Sequence, residues 1–157
     1  MSTHLEAVRS FFNVYAELLD AEQFEAWTDL FEPEDCAYRV LSRENQDLGL
    51  PLPIMGCYSH GMVRDRVAML AKGLLTYRRD RLLRQVTNVQ CQPLSESMVQ
   101  ARANLVVYQS SEEGVSSLYM VARYLAVLRA SGENWRIKSM DVVVDSFGID
   151  TMLAVPL

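Results

Sequence analysis

The chain has 157 residues, half of them apolar, and a formal charge of −5 with a pI near 5.0. A chain of this length buries roughly 70% of its unfolded surface when it folds as one domain, here residues 1–157, so it needs no disulfide or metal. The acidic balance argues against a general nucleic-acid binder, because neutralising phosphates requires a basic face.

The first part of the chain is predicted to be helical. Apolar residues recur at intervals of three and four from Leu5 to Leu19, and Thr3 followed by Glu6 has the spacing of a capping box. A second, short helix is predicted from Gln23 to Leu30. It ends before Pro33, because the residue that precedes a proline avoids the α region.

The middle of the chain combines a short β-like segment, Cys36 to Val40, with a long loop and a helix. Glycine and proline interrupt residues 41–59 so often that no regular element is expected through the middle of this stretch. The segment from Leu48 to Met55 is unusually apolar, which favours an ordered loop packed against something. Helical spacing returns from Gly61 to Leu74.

The last half of the chain, from Leu82 to Asp145, is predicted to form strands. Alternation with a period of two marks segments near 82–91, 99–107, 118–129 and 135–145. Residues 131–134 form a hairpin connection. With the segment at Tyr38, the fold class is α+β: N-terminal helices on a strongly curved, mainly antiparallel sheet of five or six strands, a cone-like shape. One sheet face packs under the helices, and the other is too apolar for open solvent.

An arginine cluster lies in the connection before the first long strand. Arg78, Arg79, Arg81 and Arg84 are interrupted by Asp80, and we interpret them as a solvated or partner-facing patch. The chain contains no apolar run of the ~20 residues that a membrane span needs, and its N-terminus lacks a signal-peptide pattern. Three cysteines, an odd number, are typical of reduced thiols. We therefore expect a cytoplasmic protein.

Metal, nucleophile and nucleotide chemistry have little support in the sequence. Cys57 and His60 have C-x-x-H spacing, but a structural zinc needs four such ligands and the second histidine, His4, is distant in sequence. Nucleophile elbows and phosphate-binding glycine loops are absent as well. We interpret Cys57 as an apolar thiol and His60 as a loop histidine, and we expect no metal site, cofactor or catalytic residue in this chain.

General acid and base chemistry is harder to exclude. A cone-shaped α+β domain can transfer protons with one buried carboxylate and a tyrosine or histidine. The residues that could supply such a set are Asp35, Tyr38, Tyr58, His60 and Asp65. Each also has a structural explanation, such as ion pairing for the carboxylates and core packing for Tyr38.

A resemblance to a known family rests on segments that span nearly the whole chain. They are Trp27-x-x-Leu30-Phe31, Glu34-Asp35-Cys36-x-Tyr38-Arg39-Val40, Arg43-Glu44-Asn45, Gly49-Leu50-Pro51-Leu52, Gly61-Met62-x-x-Asp65-Arg66-Val67, Arg84 with Thr87-Asn88-Val89, Asp145-Ser146, and Asp150-Thr151-x-Leu153-Ala154-x-Pro156-Leu157. In order and spacing they resemble the small (β) subunit of Rieske non-haem iron aromatic-ring-hydroxylating dioxygenases. The last two segments are closest to the branch acting on aromatic carboxylates, such as the small subunits of salicylate 5-hydroxylase and terephthalate dioxygenase.

The resemblance implies a fold of the nuclear-transport-factor-2 type and a role in aromatic hydrocarbon catabolism. It implies a hexamer of three large (alpha) and three small subunits, so the partners are the iron-bearing large subunit and other small subunits, without nucleic acid or membrane. The Rieske [2Fe–2S] cluster and the mononuclear iron belong to the large subunit. The small subunit is mainly structural.

Two functions remain open at this point. The first is a non-catalytic assembly subunit whose interface contains the apolar loop 48–55, the arginine cluster and the tail 152–157. Deleting that tail would weaken assembly and leave the isolated fold intact, unless the tail closes its own sheet. The second is a stand-alone isomerase or dehydratase that uses Asp35, Tyr38 or His60. It requires an open polar cavity, whereas an assembly subunit has a filled or dry apolar cone.

Overall fold

The structure, a computed structural model, describes residues 2–50, 52–71, 80–145 and 153–157. Within these ranges, short helices and one long helix accompany a single sheet. The helices are α1 (Ser2–Asp20), α2 (Phe24–Thr28), α3 (Arg43–Asp47) and α4 (His60–Ala71), and the strands are β1 (Ala37–Ser42), β2 (Met55–Cys57), β3 (Arg81–Pro93), β4 (Met98–Ser110), β5 (Ser116–Ser131) and β6 (Asn134–Val144).

The six strands form one sheet in the order β2-β1-β6-β5-β4-β3. Neighbouring strands are antiparallel, with one exception: β1 runs parallel to β6, so that Tyr38 lies beside Met140. A parallel pair cannot be closed by a hairpin, and here the two strands are far apart in sequence. The predicted α+β class and the mainly antiparallel sheet are confirmed.

Helix α1 covers the concave face of the sheet, as its apolar stripe predicts. Val8, Phe12, Tyr15 and Leu19 are all buried, and the Phe12 ring stacks on Tyr124 of β5 with centroids 5.5 Å apart. The helix already includes Ser2. The side chain of Thr3, on which the predicted capping box depends, is not described, so the capping box stays a prediction. None of the described helices is both long and apolar enough to cross a bilayer.

Three irregularities interrupt the pairing of the long strands. The register between β3 and β4 shifts between Thr87 and Gln90, where Asn88 adopts a left-handed backbone with φ 55°. Asparagine tolerates this conformation better than most residues, and a bulge increases the local twist. A second shift, after Val107 of β4, lies on the β4–β5 pair, and a third, after Val127 of β5, lies on the β5–β6 pair. These bulges account for the strong curvature of the sheet.

The loop predicted at residues 41–59 contains regular elements at both ends. The Ser42 hydroxyl accepts a hydrogen bond from the Asn45 N–H (3.1 Å) and caps α3. At the other end, β2 pairs with β1. The described residues between them, 48–50 and 52–54, are irregular, because glycine and proline are concentrated in this stretch. The predicted helix 61–74 begins at His60, and residues 72–79 lie outside the described part of the chain.

Candidate functional site: a filled cone and an exposed loop

The interior of the cone contains the chain's own last five residues, 153–157, which we call the tail. Leu157 is 0% exposed, Ala154 and Pro156 are buried, and Leu157 and Ala154 belong to the main hydrophobic core. This placement corrects the assignment of residues 153–157 to a partner interface. The other residue of that predicted segment, Met152, lies outside the described residues.

Two tyrosines hold the end of the tail. The Tyr15 hydroxyl donates to the backbone oxygen of Leu157 (2.7 Å). The Tyr38 hydroxyl donates to the same oxygen (3.2 Å) and accepts a hydrogen bond from the Leu157 N–H (2.9 Å). Tyr15 comes from α1 and Tyr38 from β1, so the end of the tail connects the helical layer to the sheet.

A buried arginine holds the preceding residue. The side chain of Arg84 on β3 is 0% exposed, and it donates to a carboxylate oxygen of Asp20 (2.8 Å) and to the backbone oxygen of Pro156. Arg66 on α4 donates to the backbone oxygen of Leu153 (2.9 Å). A buried guanidinium needs such a counter-ion and acceptors, because desolvating a charge is costly.

Aromatic rings and neutral hydroxyls surround the tail. Tyr15 packs against Tyr124 (5.3 Å between centroids), and Tyr38 packs against Trp27 (5.4 Å). Burial raises the pKa of Tyr15, Tyr38 and Tyr124 well above the ordinary value, so all three hydroxyls are protonated at neutral pH. The Tyr124 hydroxyl and the Arg84 Nε are buried without a hydrogen-bond partner among the described residues.

The predicted acid–base residues have separate partners. Asp35 is on the surface and accepts a hydrogen bond from Lys138 (2.7 Å), which lowers the pKa of its carboxyl. Tyr38 is bound to the tail, and the His60 ring nitrogen lies 3.0 Å from the backbone oxygen of Thr28. No hydrogen bond or ion pair joins Asp35, Tyr38 and His60 in the described ranges.

The two other members of that set, Tyr58 and Asp65, are exposed and lie outside the cone.

The two residues of the C-x-x-H pair lie in different environments: Cys57 is in the core, and His60 is at the contact between α2 and α4. Cys57 belongs to the hydrophobic core, and burial raises the pKa of its thiol. His60 bonds to Thr28, and His4 packs edge-on against Trp135 (5.8 Å). Among the described residues, no group of three or more potential ligands is arranged to hold a metal ion.

The described arginines of the predicted cluster do not lie together on the surface. Arg81 is exposed, but Arg84, four residues after Asp80 on the same segment, is fully buried. The interpretation of Arg84 as a surface residue is therefore wrong. Arg78 and Arg79 lie outside the described residues. The only sequence signal for the interior role of Arg84 was its inward phase in a strand that alternates with a period of two.

An exposed apolar segment, which we call the aliphatic loop, connects α3 to β2 over residues 48–54. Four of its side chains are exposed, with Leu52 at 71% and Leu48 at 66%. The loop is nevertheless anchored. The Asn45 side-chain amide donates to the backbone oxygen of Leu52 (3.0 Å), and the Ile54 N–H donates to the backbone oxygen of Val40 (2.7 Å).

A second exposed apolar group lies on the convex face of the sheet. Leu83, Tyr108 and Leu118 are direct cross-strand neighbours on β3, β4 and β5, and all three are exposed. Val121, also exposed, lies further along β5 on the same side. Contiguous exposed apolar surface of this kind commonly marks a protein–protein contact.

Comparison with known sequences identifies relatives over almost the whole chain. The family model for the ring hydroxylating beta subunit matches residues 15–151. The small subunit of anthranilate 1,2-dioxygenase from Burkholderia cepacia is 30% identical over 145 residues, which cover 92% of this chain and 89% of that protein. The beta 2 subunit of the terminal oxygenase component of terephthalate 1,2-dioxygenase from Comamonas sp. is 26% identical over 150 residues, 96% of each chain.

Solved structures agree with this relationship. A protein from Novosphingobium aromaticivorans, described as the beta subunit of an aromatic-ring-hydroxylating dioxygenase, superposes with a TM-score of 0.88 at 32% identity, over 99% of this chain and 98% of that one. An NTF2-like protein with a cystatin-like fold from the same species has a TM-score of 0.67 at 16% identity, over 91% and 82% of the two chains. The second likeness shows the fold alone and confirms the predicted fold type.

Proposed function

Because this chain belongs to the ring-hydroxylating beta subunit family, we propose that it is the non-catalytic, structural small subunit of an oxygenase that oxidises an aromatic carboxylate. Its role is to support assembly of an iron-bearing large subunit. The metal and cluster chemistry belongs to that partner. The relatives named for anthranilate and terephthalate, both aromatic carboxylates, support the substrate class.

The filled cone carries this proposal. In a stand-alone enzyme of this fold the interior must admit a substrate, and here Leu157 and its hydrogen bonds to Tyr15 and Tyr38 fill that position. The carboxylate that such an enzyme would need is also misplaced, since Asp35 is exposed and paired with Lys138. These two facts favour the assembly role over an isomerase or dehydratase.

The aliphatic loop and the convex apolar group supply the surface for assembly. Obligate interfaces typically bury more than about 2,000 Å² and have a core-like composition. An anchored loop with exposed leucines meets this requirement at low entropic cost, because its backbone is already ordered by Asn45. We place the large subunit against this loop, in a hexamer of three large and three small subunits.

Co-expression with the large subunit from the same organism tests the role. We expect a mixed hexamer by analytical ultracentrifugation, iron in the complex, and turnover of an aromatic carboxylate only when both chains are present. The isolated small subunit should contain no stoichiometric iron and should turn over neither anthranilate nor terephthalate. Turnover by the isolated chain, or failure of the two chains to associate, would contradict the proposal.

Two matched variants test the interface. We expect Leu48→Asp combined with Leu52→Asp to raise the dissociation constant for the large subunit at least roughly tenfold, because each adds a charge to an apolar contact. Leu94→Asp, at a 53% exposed position in the β3–β4 connection, is the control. Circular dichroism should show both proteins folded. Equal affinities for the two would remove the aliphatic loop from the interface.

A further inference from the structure

The tail is held in the cone by side chains, in the way a pocket holds a ligand. Residues 153–157 belong to no strand of the sheet. The backbone oxygens of Leu153, Pro156 and Leu157 instead accept hydrogen bonds from side chains on α4, β3, α1 and β1. The leucine side chain at the end of the tail fills the apolar part of the interior.

The donors that hold the tail have supports of their own. Arg84 is fixed by Asp20, whose carboxylate accepts from both the Arg84 side chain (2.8 Å) and its backbone N–H (3.1 Å). Tyr15 is fixed by ring contacts with Trp27 (6.0 Å) and Tyr124 (5.3 Å). None of these contacts involves the tail, so Arg84 and Tyr15 have supports that do not depend on it.

The interior also offers more donors than the tail uses. The hydroxyl of Tyr124 and the Nε of Arg84 are buried and have no partner among the described residues. An unpaired buried donor is costly, and in native structures it usually indicates a missing acceptor. On the outside, a surface groove of about 470 Å³ between α1 and β3 is lined in part by Asp20 and Arg84.

We propose that the cone interior is a binding site for a small acyl compound, with the tail as its resident occupant. The compound has a branched or aromatic apolar body that replaces the Leu157 side chain. Its carboxylate or amide carbonyl oxygen replaces the Leu157 backbone oxygen between the hydroxyls of Tyr15 and Tyr38. The inference concerns binding by this chain and no reaction, because Asp35, the carboxylate that a stand-alone enzyme would need, is exposed and paired with Lys138.

A chain that ends at Pro156 tests the proposal with the smallest change. Two probes, 4-methylpentanoate and 4-methylpentanamide, reproduce the leucine side chain together with its carbonyl carbon. We expect saturable binding of at least one probe by calorimetry, and a higher melting temperature in its presence. The difference between the two probes separates carboxylate recognition from carbonyl recognition.

Further variants identify the donors. In the chain that ends at Pro156, Tyr15→Phe with Tyr38→Phe should weaken binding at least roughly tenfold, because two hydrogen bonds are lost. Tyr108→Phe, on the convex face, is the control and should change nothing. Binding that is insensitive to the two interior hydroxyls would overturn the proposal, and so would a folded chain that binds neither probe.

A longer truncation covers the case in which the first chain does not fold. A chain that ends at Met152 should recover its circular dichroism spectrum and bind when the synthetic peptide Leu-Ala-Val-Pro-Leu is added. If both truncated chains stay unfolded at saturating probe and peptide, the donor set is not preorganised and the proposal is wrong.

Discussion

The cone interior and the aliphatic loop use the same residue type in opposite ways. Leu157 is 0% exposed and its backbone is bound by two tyrosines, whereas Leu52 is 71% exposed on a loop anchored only through its backbone. The interior therefore contributes to the stability of the isolated chain, and the loop contributes almost nothing until a partner covers it. The comparison separates residues that maintain the fold from residues that we propose serve assembly.

The largest expected effect is that of alkaline pH on the free energy of unfolding, and it acts through the buried tyrosines of the interior. The raised pKa values of Tyr15, Tyr38 and Tyr124 mean that the folded chain holds these protons more tightly than the unfolded chain. This stability is fully present below about pH 10, the unfolded pKa, and is lost as the pH rises further. Urea unfolding should show that the free energy of unfolding falls steadily between pH 9 and pH 11. A flat profile from pH 9 to 11 would contradict the interior role of the tyrosines.

Replacing the buried arginine should have the next largest effect. Arg84→Met leaves the Pro156 carbonyl without its donor, and leaves the Asp20 carboxylate with only the Arg84 backbone N–H. Removing one partner of a buried ion pair costs about 3 kcal/mol or more. Arg81→Met on the same strand, where the side chain is exposed, should cost less than about 0.5 kcal/mol in the same urea experiment. Similar costs for both would mean that Arg84 is not buried as described.

Replacing a leucine by alanine, once in the interior and once in the aliphatic loop, compares the two regions directly. Leu157→Ala should lower the free energy of unfolding by about 2–3 kcal/mol, because it removes a buried side chain and leaves a cavity. Leu52→Ala should change it by less than about 0.5 kcal/mol. Thermal and urea unfolding of both variants measure this. A stable Leu157→Ala protein would indicate that the tail leaves the cone in solution.

Two buried tyrosines of the interior give the finest test. Tyr38→Phe removes two hydrogen bonds to Leu157 and should cost about 1–2 kcal/mol. Tyr124→Phe removes a hydroxyl that has no partner among the described residues, so it should be neutral or slightly stabilising. Equal costs in urea unfolding would show that the Tyr124 hydroxyl has an acceptor in solution, such as a bound water.

The outcome at the tail shows how much of the candidate site was accessible from sequence. The apolar character of residues 152–157 was evident, but it predicts only burial and does not distinguish a partner from the chain's own core. Deleting the tail should destabilise the isolated fold. The sequence alone had suggested that the fold would remain intact. The apolar composition of the aliphatic loop is likewise a local feature that the sequence shows, but its packing against a partner stays a prediction.

By itself, the sequence determined the order and type of the long elements, since helical and strand periodicities are local properties. It also located the inward face of β4 and β5, where Ala101, Leu105 and Tyr124 are buried as the alternation requires. Only the tertiary structure decided what fills the cone. Tyr15 and Leu157 are 142 positions apart and Tyr38 and Leu157 are 119 apart, and no periodicity relates residues at such separations. They meet because β1 joins β6 in parallel and α1 closes over the concave face, which only the folded sheet brings about.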